Sequence, residues 1–207
     1  MRISHKYKFI YIAPEKTASR SIRNALDEFC EIKHIGLNGE NPHVGIASVK
    51  TKYFGGNIPS DYYKFSFVRN PFDKAVSWYE YMKNCINKHN DESEYKEIHY
   101  IRYQSIISNG FENWIENELA KKNSQVLSYK SYFANEKFNF IGKFENLQND
   151  FNLVCNDIGI ASRKLNVLNK TFRSNHYSKY FSSSLVEKIN DYAHDELKMF
   201  NYRFDDI

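Results

Sequence analysis

A run that is apolar at every position, Phe9-Ile10-Tyr11-Ile12, gives way through a short loop to a helical stripe of Ile22, Ala25, Leu26 and Phe29. A second unit of the same kind follows. Tyr63-Lys64-Phe65-Ser66-Phe67-Val68 reads as a buried strand, and Phe72, Ala75, Val76 and Tyr79 form the core-facing stripe of the helix behind it. Strands alternating with helices pair in parallel and are covered on both faces. The pattern predicts strands at 7–13, 32–36 and 63–68, with helices over 19–30, 46–54 and 71–86. Further along, Phe111, Trp114, Ile115 and Leu119 predict an amphipathic helix, and another is expected over 124–133. Phe138-Asn139-Phe140-Ile141 reads as a late strand. Leu147, Phe151, Val154, Cys155 and Ile158 make a helix that ends at Gly159, a residue suited to the left-handed position after a helix. Ser182 or Ser183 can cap a last helix carrying Leu185, Ile189, Tyr192, Leu197 and Phe200. A chain of 207 residues fits one domain, 1–207. The polar stretch 87–109, with Asp91-Glu92-Ser93-Glu94, reads as an insertion, either a mobile loop or an acceptor-facing helix pair.

The first loop is Pro14-Glu15-Lys16-Thr17-Ala18-Ser19-Arg20-Ser21. Strand, hydroxyl-rich loop and helix in that order build an anion site. Free backbone N–H groups point out of a helix start, and the helix dipole favours negative charge there. Lys16 adds a point charge, and Thr17, Ser19 and Ser21 add hydroxyl donors. The loop is not a Walker A motif, which needs glycines and a lysine near its end. A bland alternative is a solvated helix cap, with Ser19 or Ser21 serving the first-turn amides.

The second loop adds weight. Val68 is followed by Arg69-Asn70-Pro71-Phe72-Asp73-Lys74-Ala75-Val76-Ser77-Trp78. Asn70 can cap, Pro71 suits the first helical position and Asp73 the first turn. Arg69 stands at a strand's carboxyl end, where open α/β sheets bind ligands. An arginine fork and the Ser77 hydroxyl suit a terminal phosphate. The bland alternative pairs Arg69 with a carboxylate and makes Ser77 filler.

Lys16-Thr17-Ala18-Ser19-Arg20-Ser21 resembles the 5′-phosphosulfate loop of the sulfotransferases, and Phe67-Val68-Arg69-Asn70-Pro71 with Ser77 resembles their 3′-phosphate site. The resemblance looks closest to the glycan sulfotransferases related to the heparan sulfate 2-O enzymes and their small bacterial relatives. His43-Val44, Phe140 to Leu147 and Tyr177-Ser178-Lys179-Tyr180-Phe181 echo the family in its order, so the likeness spans roughly 7–204. Two departures stand out. Arg20 occupies a place where relatives usually carry a small hydroxyl residue, and Glu15 intervenes between Pro14 and Lys16. The resemblance implies a P-loop-NTPase-like α/β fold, a parallel sheet flanked by helices on both faces in a single domain.

It also implies 3′-phosphoadenosine 5′-phosphosulfate (PAPS) as donor, with no metal, and in-line transfer of a sulfonate to a hydroxyl, with a glycan as the expected acceptor. Lys16 would stabilise the bridging oxygen as the phosphate leaves. The loop amides of 16–21, including Ala18 and Arg20, with the hydroxyls of Thr17, Ser19 and Ser21, would cradle the equatorial oxygens. Arg69 and Ser77 would hold the 3′-phosphate, and Arg173 in the basic stretch 162–183 joins the donor-binding set. His43 is the first candidate base, because an imidazole suits proton abstraction at neutral pH. Glu15 is the second, and His176 a reserve. Two other readings remain open. A nucleotide kinase or NTPase would need Mg²⁺, and the strand that ends in Arg69 offers no Walker B aspartate. A non-catalytic nucleotide- or glycan-binding relative would bind without turnover.

Composition sets bounds. Apolar residues make up 42%, as in a globular protein. The 16 Tyr and 16 Phe are expected to fill the core. A formal charge of +4 suits an anionic ligand and is too mild to imply nucleic acid. Three cysteines without a CxxC pair argue against a disulfide scaffold, and Cys30 and Cys155 fall on apolar helix faces. With no long apolar run there is no membrane span, and a cytoplasmic setting is expected.

Overall fold

The computed structural model describes residues 1–34, 41–87, 94–166 and 175–205. In chain order the elements are β1 (Arg2–Ser4), β2 (Phe9–Ile12), α1 (Ser19–Leu26), β3 (Ile32–Lys33), α2 (Ile46–Phe54), β4 (Tyr63–Val68), α3 (Pro71–Asn87) and α4 (Glu94–Asn109). They continue with α5 (Phe111–Leu119), α6 (Lys130–Phe133), β5 (Phe140–Lys143), α7 (Leu147–Asp157), α8 (Ser183–Tyr192) and α9 (His194–Met199). The chain divides into two compact units. The first comprises Met1–Arg69 and Tyr129–Leu168, the second Asn70–Ser128 and Asn169–Ile207.

The first unit holds a five-stranded sheet in the order β3-β1-β2-β4-β5. Strands β2, β4 and β5 are parallel neighbours, as the alternating pattern requires. The departure is β1, which pairs antiparallel with both β2 and β3. This strand escapes the sequence reading because Arg2-Ile3-Ser4 is three residues long and two of them are polar. Side-chain alternation then sets the layers. Phe9, Tyr11, Phe65 and Phe67 lie on one face and share a core with Ile22 and Leu26 of α1 and with Phe151, Val154 and Cys155 of α7. Ile10, Ile12, Ser66 and Val68 alternate to the other face and are buried as well. Tyr11 stacks on Phe65 with ring centroids 5.1 Å apart. Gly142 lies opposite Phe67 in the β4–β5 register, and a Cβ there would come within 2.5 Å of the Phe67 ring.

In the second unit, α3 packs against α4, and α5 against α4 and α8. Its core is aromatic, as the composition suggests. Phe72 meets Phe204 edge to face at 4.9 Å, Phe111 meets Phe181 at 5.0 Å, and Tyr79 stacks on Trp114 at 5.7 Å. Lys74 is fully buried and donates to the Ser128 carbonyl at 3.3 Å, while the Ser128 hydroxyl donates to Glu196 at 3.1 Å. No helix among the described residues is long and apolar enough to cross a membrane.

Most element boundaries match the sequence pattern within a residue or two. Three predicted helices do not survive whole. The helix expected over 19–30 ends at Leu26 and tightens into a 3₁₀ turn over Asp27–Phe29. Only Lys130–Phe133 of the span 124–133 is helical. Upstream, Ser124 opens a single turn that does not continue: its hydroxyl takes the Val126 N–H at 3.2 Å and its carbonyl the Ser128 N–H at 2.8 Å. The final helix breaks at Ala193 into α8 and α9. Ser182 is the cap the sequence anticipates, its hydroxyl accepting from the Leu185 N–H.

Candidate active site

The site is built at the carboxyl ends of β2 and β4 in the first unit. After β2 the chain enters the Pro14–Ala18 loop with two left-handed residues, Lys16 at φ 63° and Ala18 at φ 58°. Thr17 between them is not left-handed. Backbone alternation of this kind is the pattern of an anion-binding nest, here formed without a glycine-rich sequence. The Thr17 hydroxyl donates to the Pro14 carbonyl at 2.9 Å and is buried, so it staples the curl. Ala18 is the N-cap of α1 and offers no side-chain hydrogen bond. The cap position is held by an alanine in the left-handed region rather than by a hydroxyl residue in the extended one, and neither Ser19 nor Ser21 occupies it. Ser19 and Ser21 are buried in the first turn, and Arg20 between them is exposed.

His43 comes to this loop from a distant part of the sequence. The Asn41 side chain accepts the His43 N–H at 2.8 Å, a turn that Asn41-Pro42 foreshadows. The ring's Nδ1 then lies 2.7 Å from the Ala13 carbonyl, immediately before the loop. A carbonyl only accepts, so Nδ1 carries the proton and Nε2 keeps the lone pair. Burial lowers the pKa of His43 to about 4, with the Arg23 and Lys16 charges adding to the shift and the Ala13 hydrogen bond opposing it. The ring is neutral at pH 7. Arg23, on α1, donates to the Ser19 carbonyl at 3.3 Å and to the His34 carbonyl at 3.4 Å.

The Glu15 carboxylate accepts from the Tyr132 hydroxyl at 3.5 Å. Burial, and then the nearby Glu15, raise the Tyr132 pKa, so its hydroxyl stays protonated as a donor. Gly45, two residues after His43, caps α2 against α6. A Cβ at Gly45 would meet the Ser131 carbonyl oxygen at 2.2 Å, so only glycine permits this approach.

Arg69 follows β4 and is 9% exposed. Its Nη1 donates to the Lys16 carbonyl at 3.2 Å, which ties the first loop to the end of β4. The guanidinium lies over the Phe144 ring, 4.0 Å from the centroid. Val68 and Lys143 are register partners, so Arg69 and Phe144 are the next residues along adjacent parallel strands.

The structure therefore brings Lys16, Thr17, Ala18, Ser19, Glu15, His43 and Arg69 to one end of one sheet. Ser77 is buried on α3 in the second unit. His176 caps a short helical turn there, its Nδ1 3.0 Å from the Ser178 hydroxyl. Arg173 lies outside the described residues, as do 88–93 of the expected insertion; α4 forms its remainder. Sequence reasoning passed over Arg23, Tyr129, Tyr132 and the role of Phe144. Phe144 was findable from its place after the late strand, but nothing local marks the two tyrosines.

A profile of the sulfotransferase family matches residues 1–203. The chain is a member of the sulfotransferase family. No curated protein matched it in sequence. Membership agrees with the α/β architecture and its mostly parallel, helix-flanked sheet, and it makes the protein a transferase with an acceptor substrate.

Proposed function

We propose that this sulfotransferase moves a sulfonate from PAPS to a hydroxyl of a carbohydrate acceptor. The observation that carries the reading is the meeting of three groups at one end of the sheet: the Lys16 loop, the Arg69 fork bonded to it, and a neutral His43 held on the Ala13 carbonyl. In the proposed step the acceptor O–H proton passes to His43 Nε2 as the oxygen attacks sulfur. The bond from sulfur to the bridging oxygen breaks, and the electron pair leaves on the 5′-phosphate. Lys16 stabilises that developing charge, and the loop N–H groups hold the donor oxygens. Arg69 binds the 3′-phosphate and so aligns the donor. Ser77 and Arg173 keep the donor-binding roles that the resemblance implies for them. Glu15 is the competing base, its carboxylate accepting from the Tyr132 hydroxyl.

Turnover with labelled PAPS and a panel of glycans, in EDTA, tests the activity. Release of 3′-phosphoadenosine 5′-phosphate without metal is the expected result. A requirement for Mg²⁺ would favour phosphoryl transfer, and binding without release would leave a carrier. Arg69→Ala tests the donor site. The loss of a charge-assisted fork should weaken 3′,5′-bisphosphate binding by ~2–3 kcal/mol and leave adenosine 5′-phosphate nearly unchanged.

A further inference from the structure

We propose that Tyr129 and Phe144 are positioning residues that fix Arg69 in its phosphate-reading pose before any ligand arrives; the proposal rests on the donor-site reading above. The Tyr129 hydroxyl accepts the Arg69 backbone N–H at 2.9 Å and donates to the Arg69 carbonyl at 2.8 Å. One hydroxyl thereby bonds both backbone groups of a residue that has just left the sheet ladder. The Tyr129 ring is fully buried and stacks on Phe133, with centroids 5.8 Å apart and planes within 11°. The hydroxyl is consequently held by a ring that cannot swing.

Phe144 acts on the other end of the same residue. Its face carries the guanidinium plane at 4.0 Å, a cation–π contact made in a largely desolvated place. The Lys16 carbonyl takes one of the guanidinium's five N–H donors at Nη1. Backbone, guanidinium plane and fork direction are each set by a different neighbour. A free arginine loses much rotamer freedom when it binds; one held in this way loses little, so more of its interaction appears as affinity. The fork also joins the 3′-phosphate site to the Lys16 loop, so an error in Arg69 is an error in both.

The readout is selectivity, measured by calorimetry as the ratio of affinities for 3′-phosphoadenosine 5′-phosphate and adenosine 5′-phosphate. Tyr129→Phe keeps the stacked ring and removes the two hydrogen bonds. It should shrink the wild-type ratio by about tenfold, the scale of one net charged contact, with adenosine 5′-phosphate binding nearly unchanged. Phe144→Leu leaves Tyr129 intact and should shrink the ratio in the same sense. Phe133→Leu, which unstacks the ring but keeps the hydroxyl, should lower the melting temperature and shrink the ratio less than Tyr129→Phe does. A purely structural role would instead weaken both ligands alike. A wild-type protein that discriminates between the two ligands, alongside an unchanged ratio in Phe144→Leu or in folded Tyr129→Phe, overturns the proposal alone. A wild-type protein that does not discriminate overturns the donor-site reading, and the proposal falls with it.

Discussion

At the scale of single residues, Lys16 and His43 make opposite demands on an experiment. Lys16 stands in a preformed loop and is proposed to act on charge that appears only as the phosphate leaves. Lys16→Ala should therefore lower kcat by roughly 10²-fold or more while PAPS affinity changes little. Single-turnover kinetics beside a binding titration checks this; intact kcat with raised KM would make Lys16 an anchor. His43 carries two pH signatures. Its pKa falls from 6.5 to about 4 in the folded protein, so the folded state favours the neutral ring. The unfolded chain binds the extra proton between those values. Its contribution is complete above about pH 6.5 and is lost as pH falls toward 4, at most ~3 kcal/mol from the size of the shift. Denaturant melts of wild type and His43→Gln at pH 7 and pH 5 should converge at the lower pH. As the proposed base, the same ring should set the catalytic profile. A rate that holds from pH 7 to about 5 and then drops is expected of wild type, with His43→Ala down by about 10²–10⁴-fold. The fully neutral ring costs base strength. Binding the anionic donor beside Arg23 and Lys16 should restore part of it, by offsetting two of the charges that depress the ring.

Elements place these residues, and here the sequence is uneven as a guide. The β2–loop–α1 and β4–α3 units were legible because a fully apolar strand beside a 3.6-residue stripe has few other readings. Arg69 and Lys16 fell at the ends of those units, so their place in the fold was legible too. His43 was findable as a turn residue after Asn41-Pro42, but its bond to Ala13 was not, since nothing in the sequence measures a contact across thirty residues. Tyr129 bonds a backbone sixty residues away and carries no local signature at all. The 124–133 helix was misjudged because hydrophobic spacing cannot show that the turn opened by Ser124 stops before Lys130. Gly45 shows the same limit from another side. Its φ of −79° suits any residue, and only the nearness of α6 excludes a side chain. Gly45→Ala forces a methyl group against the Ser131 backbone carbonyl and should cost ~1–3 kcal/mol, a drop of several degrees in melting temperature by calorimetry. His43 follows the same turn into α2, so PAPS turnover should fall further than the stability loss explains.

For the whole molecule, the notable fact is how the chain is divided between the two units. The first takes its sheet from Met1–Arg69 and then waits for Tyr129–Leu168 to complete it. A fragment of residues 1–69 has β1 to β4 and α1, yet lacks β5 and the Phe151, Val154 and Cys155 side chains that fill the core beside Phe65. It should show no cooperative thermal transition by circular dichroism, despite carrying Lys16, His43 and Arg69. A two-state melt of that fragment would contradict the packing described above. The same arrangement has a consequence during synthesis. Chains emerge N-terminus first at about 5–20 residues per second, so the free edge of β4 and the faces of Phe65 and Phe67 stand uncovered for roughly 5–20 s before α7 is made. An unpaired apolar edge is a template for another chain. Nascent chains arrested short of Phe140 should be far more protease-sensitive than those arrested beyond Leu165, and rapid overproduction should send this protein into aggregates that a slower supply of chains would avoid.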